Sequence, residues 1–189
     1  MELAEVIRGR RSVRRFKPES VPRDVIEKIL ELAQWAPSAM NKQDWRFIVV
    51  EGAKKAALLK ITAKAFDFFK PILEKNFPDK PKVLENSKRF FETYGNAPVI
   101  VLAYGGYFPS GGEDPYSISL AVQNLLLAAH EAGLGAVWAD AAVFYMEKEI
   151  NELMGITDRK LVSMIPIGYP DEAPKAPPRQ EGRVQWLSD

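Results

Sequence analysis

Cysteine is absent from this 189-residue sequence, and histidine occurs once, as His130. Without cysteine, disulfides, thiolate metal ligands and a cysteine nucleophile are excluded. A single histidine late in an apolar segment does not support a Ser-His-Asp triad or a histidine metal site, so we expect no metal. We interpret His130 as a packed or surface side chain.

Long apolar runs and a strong charge imbalance are also missing. No apolar run approaches the roughly 18 residues of a membrane span. The first residues, MELAEVIRGRR, place acidic and apolar residues before the basic ones, which is the reverse of a signal peptide. The net charge of +1 argues against a general nucleic-acid-binding protein, which carries a large basic surplus. We therefore expect a cytoplasmic protein.

The glycine-rich nucleotide motifs are incomplete. There is no GxGxxG sequence, and Gly106–Gly111 has P-loop spacing but is followed by Gly112 and Glu113 instead of Lys and Ser/Thr. An NTP site is therefore not expected. The carboxylates show no arrangement typical of general acid–base catalysis, so the reactive atoms of an enzyme with this sequence would belong to a cofactor.

Positive charge is concentrated in one stretch, RGRRSVRRFK, residues 8–17. It contains six basic residues and the hydroxyl of Ser12, and the apolar Val13 and Phe16 attach it to a core. Guanidinium groups beside a hydroxyl suit a phosphate bound at short range. A solvated junction between two elements is the alternative interpretation.

The hydrophobic periodicity predicts an α+β domain with four or five short strands and helices on both sides. Helices are predicted over residues 2–9, from Pro22 to a stop at Pro37, and over residues 53–66, 67–76, 82–94, 115–132 and 145–154. Strands are predicted over residues 45–51, 97–105, 135–140 and 160–170.

Three of these elements carry further expectations. Pro71, or Pro78 together with Pro81, is expected to break the helical region. The strand over 97–105 is apolar throughout and is predicted to be central. The helix over 115–132 is apolar on most sides, which suggests burial against a second subunit.

The composition changes after Pro170. The segment that follows is rich in proline and ends with Val184, Trp186 and Leu187, which it cannot bury by itself. We expect residues 1–170 to form a single domain and residues 171–189 a C-terminal extension, whose apolar end is either frayed or docked on a partner subunit.

Four motifs, in order along the chain, resemble the FMN-dependent nitroreductase family. They are RRSVR (10–14), APSAMNKQDW (36–45), AVQNLLLAA leading into GLGAVW (121–138), and IPIGYP (165–170) followed by a tail with Arg179. The ordered set spans nearly the whole chain. Asp44 departs from the proline that is usual in the family, and residues 53–95 match no family motif.

The resemblance implies a nitroreductase-like fold, in which a central, mostly antiparallel sheet is flanked by helices. It also implies a homodimer with an FMN site at each end of the interface and a C-terminal tail that extends onto the partner subunit. The apolar helix over 115–132 would then form the dimer core.

The resemblance further assigns roles in the basic stretch. Arg10 and Ser12 would bind the FMN phosphate, with Arg11 at the phosphate or ribitol and Arg179 as a further cation. Arg14 would reach the pyrimidine side of the flavin, where a cation stabilises the negative charge that builds up on reduction.

Two other segments are implied to contact the flavin ring. A loop from the other subunit would contribute Pro37, Ser38, Ala39 and Asn41, with Asn41 hydrogen-bonded to the ring. The turn formed by Trp138, Ala139 and Asp140 would lie at the flavin, with the Asp140 backbone N–H facing N5. Arg14 and Asp140 are thus the candidate catalytic residues.

The implied activity is hydride transfer from NAD(P)H through flavin N5 to a nitroaromatic, quinone or enone acceptor, by a ping-pong mechanism. Two alternatives within flavoproteins remain open: a dehalogenase or flavin-fragmenting branch of the superfamily, and a flavin-binding protein without nicotinamide-driven turnover. An RNA-binding module that uses RGRRSVRRF is the alternative outside them, although Phe16 is the only aromatic residue available there for stacking.

Overall fold

The computed structural model describes residues 2–188, which contain six α-helices and five strands. The helices are α1 (Leu3–Gly9), α2 (Arg23–Ala33), α3 (Gly52–Asn76), α4 (Pro81–Thr93), α5 (Pro115–Glu131) and α6 (Ala141–Met154). The strands are β1 (Arg46–Val50), β2 (Val99–Tyr107), β3 (Glu113–Asp114), β4 (Gly135–Ala136) and β5 (Lys160–Gly168). Two 3₁₀ turns lie at Ala39–Asn41 and Tyr94–Asn96. No helix within residues 2–188 is both long enough and apolar enough to span a membrane.

The strands form an antiparallel sheet in the order β1-β2-β5-β4, with β3 paired to the end of β2. β2 is paired on both edges, so the prediction that this apolar segment is central is confirmed. A single parallel bridge between Ser12 and Ala136 attaches the chain before α2 to β4. The predicted fold class, α+β with a mostly antiparallel sheet flanked by helices, is confirmed.

The sheet separates two apolar layers. Along β2, Val99 and Val101 face the layer formed with α2 and α5, whereas Ile100 and Leu102 face the layer formed with α3, α4 and α6. This alternation follows from the period of two along a strand. Both layers are buried, which is why the sequence of β2 is apolar without interruption.

Of the two predicted positions of the break, Pro71 is wrong, because α3 is one helix of 25 residues that runs through it. The helical region breaks between Asn76 and Pro81, as the alternative with Pro78 and Pro81 predicted. Leu58, Ala65 and Phe66 before the proline and Leu73 after it are buried on the same sheet face. A proline inside a helix costs about 3 kcal/mol. Burial of several side chains, at roughly 1.5–3 kcal/mol each, outweighs that cost.

Three other boundaries differ from the prediction. α2 ends at Ala33, four residues before Pro37, because the backbone tightens into i→i−3 hydrogen bonds at residues 34–36. β4 covers only Gly135–Ala136, and the chain then leaves the sheet. α6 begins at Ala141 and not at residue 145, since its buried face already starts at Ala142.

Candidate functional site

The segment after α1 is held by backbone hydrogen bonds to three other parts of the fold. The Val13 N–H donates to the Ala136 carbonyl at 3.2 Å, and the Phe16 N–H donates to the Gly95 carbonyl at 3.0 Å. The Lys17 N–H donates to Tyr169 O at 2.9 Å. Val13 and Phe16 are buried as the apolar composition of the stretch predicted. The side chains between them therefore project from a fixed backbone.

Gly95 is essential to this arrangement for two reasons. Its φ of +66° lies in the left-handed region, which favours glycine. A Cβ atom there would also lie 2.1 Å from the carbonyl oxygen of Arg14. The close approach of the two backbones sets the position of Arg14.

A cavity of about 730 Å³ opens beside this segment. Five of the predicted site residues line it: Ser12, Arg14, Trp138, Ala139 and Asp140. The opposite wall comes mainly from α3, α4 and the turn after α4, and includes Phe69, Asn86, Ser87, Arg89, Phe90 and Thr93. The wall combines aromatic and polar side chains, which suits a planar ligand with polar substituents.

The turn before α6 fixes a backbone donor in the cavity wall. Ala139 exchanges two backbone hydrogen bonds with Met164, at 3.0 and 2.8 Å. The Trp138 indole donates to Asp140 Oδ2 at 2.9 Å. The Asp140 N–H itself has no hydrogen-bond partner among residues 2–188. An unpaired N–H at the start of a helix is suited to an electron-rich ligand atom.

Arg14 presents a free guanidinium to the same cavity. Its backbone N–H donates to Glu172 Oε1 at 2.5 Å, while its side chain has no partner within residues 2–188. Arg15 pairs with Glu172 at 3.6 Å instead. The carboxylate of Glu172 thus anchors the Arg14 backbone and leaves the guanidinium available for a ligand.

A second group of cations lies at the end of α1. Burial, then the charges of Arg11 and Arg179, lower the pKa of the Arg10 guanidinium. Arg11 Nη1 donates to the carbonyl of Arg8 at 2.7 Å and to that of Arg10 at 2.6 Å. Neither Arg10 nor Arg11 pairs with a carboxylate of the described chain. Crowded cations without a carboxylate fit the binding of a phosphate.

The loop over residues 37–41 lies outside the cavity that the other candidates line. The Ala39 N–H donates to Ser117 Oγ at 3.2 Å, so the loop is attached to the first turn of α5. The Gln43 side chain donates to Asn41 Oδ1 at 2.9 Å. Within one chain the structure does not bring Pro37, Ser38, Ala39 or Asn41 to the other predicted residues.

Asp44 stabilises this loop through several contacts. Its Oδ1 accepts from Arg159 at 2.6 Å, and its Oδ2 lies 3.1 Å from Lys42 Nζ. Oδ2 also accepts from the Tyr107 N–H at 3.2 Å. The carboxylate that departs from the expected proline therefore ties the loop to the end of β2 and to the start of β5.

The α4 wall is the part of the site that sequence reasoning missed. Residues 53–95 match no family motif, so none of these side chains was predicted. The signal for specific residues was weak: Asn86 and Ser87 are adjacent polar residues in an otherwise amphipathic helix. Such a pair is also common on a solvated helix face.

Known proteins similar to this chain agree with the motif resemblance. The model of the nitroreductase family matches residues 7–169. YfhC of Bacillus subtilis, provisionally named as an NAD(P)H nitroreductase, is 35% identical over 181 residues, covering 94% of this chain and 89% of YfhC. The iodotyrosine deiodinase of Thermotoga neapolitana is 32% identical, with 97% of each protein covered. The crystal structure of oxidized iodotyrosine deiodinase bound to FMN and 3-iodo-L-tyrosine is 30% identical with a TM-score of 0.76, and the match covers 98% of this chain and 99% of that one.

Proposed function

Because this chain belongs to the nitroreductase family, we propose that it is an FMN-dependent oxidoreductase that uses NAD(P)H to reduce a nitroaromatic, quinone or enone acceptor. A bound FMN would supply the redox chemistry for hydride transfer from NAD(P)H to the acceptor by a ping-pong mechanism, through flavin N5. The observation that carries the proposal is the unpaired Asp140 N–H in the wall that also holds Ser12 and Arg14. In this proposal Arg14 and Asp140 would face the flavin ring, and Ser12 would bind the phosphate together with Arg10, Arg11 and Arg179, which lie outside the cavity lining.

The cations after α1 would hold the phosphate. Arg10 and Ser12 are the main ligands in this proposal, with Arg11 beside them and Arg179 contributed by the tail. The lowered pKa of Arg10 supports this role, because burial and then the positive charges of Arg11 and Arg179 disfavour the charged guanidinium. A phosphate dianion among them would relieve that repulsion.

Arg14 and Asp140 would act on the ring. The Asp140 N–H would donate a hydrogen bond at N5 and keep the ring in register. The Arg14 guanidinium would stabilise the negative charge that develops on the pyrimidine side. Backbone hydrogen bonds around Ala139 and at the Arg14 N–H hold both residues at the cavity. The aromatic side chains of α4 would exclude water from the open face.

We further propose a homodimer in which a second copy of the chain completes the site with Pro37, Ser38, Ala39 and Asn41. The exposed side chains of Tyr116 and Leu120 on α5 support this proposal, because they leave part of an otherwise apolar helix uncovered. The attachment of the 37–41 loop to α5 places it next to that surface. Residues 171–189 would extend onto the partner.

Absorption spectroscopy tests the proposal directly. The purified protein is mixed with FMN, separated from excess by gel filtration, and treated anaerobically with NADPH and then NADH. Retained yellow colour that bleaches with either donor is expected. Retained colour without bleaching would favour a flavin-binding protein without nicotinamide-driven turnover. Loss of flavin on the column would contradict the proposal.

Reductive dehalogenation is a second candidate, because a named iodotyrosine deiodinase is 32% identical over nearly the whole chain. The two candidates share FMN and differ in acceptor. Protein reduced with dithionite is mixed with 3-iodo-L-tyrosine, or in parallel with a nitroaromatic compound, and halide release and flavin reoxidation are followed. Halide release at the rate of reoxidation would establish the dehalogenase; reoxidation by the nitroaromatic alone would exclude it.

A further inference from the structure

His130 lies beside the cations of the proposed phosphate site. It belongs to the last turn of α5, and its Nε2 is so near the backbone of Gly9 that a Cβ there would lie 2.7 Å from it. Gly9 immediately precedes Arg10 and Arg11 in the chain. The imidazole is half-buried and forms no hydrogen bond with residues 2–188. It is therefore free to accept a proton.

The charges around His130 come from several elements. Arg10 and Arg11 act on it from the segment after α1, and Arg179 of the tail acts on Arg10. On α5, Glu131 is the next residue in the chain. α1 and α2 also pack against α5. Charged residues on these two helices are not among those that shift His130: Glu5 and Arg8 on α1, and Glu27, Lys28 and Glu31 on α2. Burial, then Arg10 and Arg11, lower the pKa of His130.

We propose that His130 is a proton-accepting member of the phosphate site, taking up a proton from solvent when a phosphate binds to Arg10, Arg11 and Arg179. The neutral imidazole becomes an imidazolium, which adds a fourth positive charge to the site. The proposal rests on the proposed FMN function, since FMN is the phosphate ester that the site would hold. It goes beyond that function by coupling cofactor binding to pH through a residue with no other assigned role.

The physical basis is the change in local charge. Without an anion, two guanidinium groups oppose protonation of the imidazole. A phosphate dianion offsets them, so the pKa of His130 rises on binding. By linkage, FMN binds more tightly below the lower pKa, and the advantage disappears as pH rises through the higher one. A rise of about one pKa unit corresponds to about tenfold in affinity.

The sole histidine makes NMR the direct test. The NMR chemical shifts of its imidazole protons are followed from pH 5 to 8.5 in the untagged protein. The titration is made with the protein alone, with FMN, with riboflavin and with inorganic phosphate. We expect FMN and inorganic phosphate to raise the pKa by about one unit, and riboflavin, which lacks the phosphate, to leave it unchanged. Equal pKa values with bound FMN and bound riboflavin would overturn the proposal.

The titration with inorganic phosphate distinguishes a failure of the His130 proposal from a failure of the FMN proposal. If no flavin is retained but inorganic phosphate raises the pKa, the FMN proposal fails and the His130 site stands. If neither FMN nor inorganic phosphate moves the pKa, the His130 site fails, even where FMN is bound and reducible.

A variant provides an independent readout. His130→Gln keeps a polar side chain and removes the titration. The affinity for FMN is measured at pH 6 and at pH 8 for the wild-type protein and for the variant. FMN's own phosphate titrates in both cases, so its contribution cancels when the two losses of affinity are compared. We expect the wild-type protein to lose several-fold more affinity than the variant over this range, with about tenfold as the upper limit for a one-unit rise in pKa. Identical losses would overturn the proposal.

Discussion

Asp44 and Arg159 are separated by 115 residues in the chain, yet Asp44 Oδ1 accepts a hydrogen bond from Arg159 Nη1 at 2.6 Å. The same Arg159 nitrogen donates to the Asp44 backbone carbonyl at 3.1 Å. Both side chains are mostly buried, with exposed fractions of 23% and 17%. The loop before β1 and the segment before β5 are therefore joined by one charged contact.

Protonation of Asp44 in acid should lower the free energy of unfolding. The hydrogen bond from Arg159 is the main reason that its pKa falls from 3.8 to about 2. A carboxylate with a depressed pKa stabilises the fold above its unfolded pKa, and the contribution is lost as pH falls from about 4 to about 2. We expect Asp44→Asn to lower the free energy of unfolding at pH 7 by roughly 2 kcal/mol. Urea unfolding at pH 7 and pH 3 measures this.

The matched control is Asp79→Asn, which changes an exposed aspartate that has no ion pair within the described chain. It should leave stability at pH 7 within about 0.5 kcal/mol of the wild-type value. If Asp44→Asn unfolds like Asp79→Asn at both pH values, the pair does not stabilise the protein.

Gly95→Ala should disrupt the site and the fold together. The added Cβ would meet the carbonyl oxygen of Arg14 at 2.1 Å, at a φ of +66°. We expect a loss of more than about 3 kcal/mol of stability, with loss of FMN retention. Gly52→Ala is the control, since its φ is +54° and nothing lies within 4 Å of the new Cβ. This variant should lose only about 1–2 kcal/mol of stability. Chemical denaturation measures both variants, and equal losses would show that the contact with the Arg14 carbonyl does not matter.

Removing the proposed phosphate ligands should weaken the binding of FMN but not that of riboflavin. The double variant Arg10→Ala with Ser12→Ala loses two contacts, one of them charged, so FMN binding should weaken about 100-fold or more. Riboflavin does not use those contacts, and its affinity should stay the same. Fluorescence quenching titrations of both flavins measure the effect. Unchanged FMN affinity would contradict the phosphate assignment.

Arg14→Ala should slow the reduction of the flavin more than it weakens the binding of FMN. Its guanidinium has no partner within residues 2–188 and lines the cavity, so its removal leaves the fold intact. We expect anaerobic flavin reduction by NAD(P)H to slow about tenfold or more, with FMN affinity changed less. Stopped-flow absorbance provides the rate. A variant that binds FMN weakly but reduces it at the wild-type rate would show that Arg14 only binds.

The tail should contribute to dimer stability. Trp186 is 91% exposed in the single chain. Burying such a side chain stabilises by about 2 kcal/mol for each copy, so Trp186→Ser should raise the dimer dissociation constant by two orders of magnitude or more. Sedimentation velocity over a concentration series measures it. Gln185→Ala, the adjacent control, should have little effect, and equal dissociation constants would place the tail outside the interface.

The sequence predicted the elements that carry a strong period or an unbroken apolar run. β2 was identified as central because both of its faces are buried, and α5 was placed within one residue of its observed end. The prediction at Pro71 was wrong because it used the local rule that proline breaks a helix. The burial of side chains on both sides of Pro71 keeps the helix intact. The apolar face of α3 continues through Leu73, and that face was the better indicator.

The candidate site was accessible from the sequence only where motifs are contiguous. RRSVR and the Trp138–Asp140 turn were identified from adjacent residues, and the structure brings parts of both to one cavity. The α4 wall and the His130 neighbourhood depend on contacts between distant segments. Nothing in the local sequence of α5 shows that the end of α1 lies against His130.

The two apolar layers on either side of β2 have a consequence for how this protein can change. α3 and α4, which supply much of one wall of the cavity, rest on one face of the sheet, while α2 and α5 rest on the other. β2 therefore separates the helices that line the cavity from the helix proposed to join two copies. A substitution at a cavity-lining position of α4, such as Asn86 or Ser87, would therefore alter the wall of the cavity while the buried face of α5, on the other side of the sheet, keeps its packing.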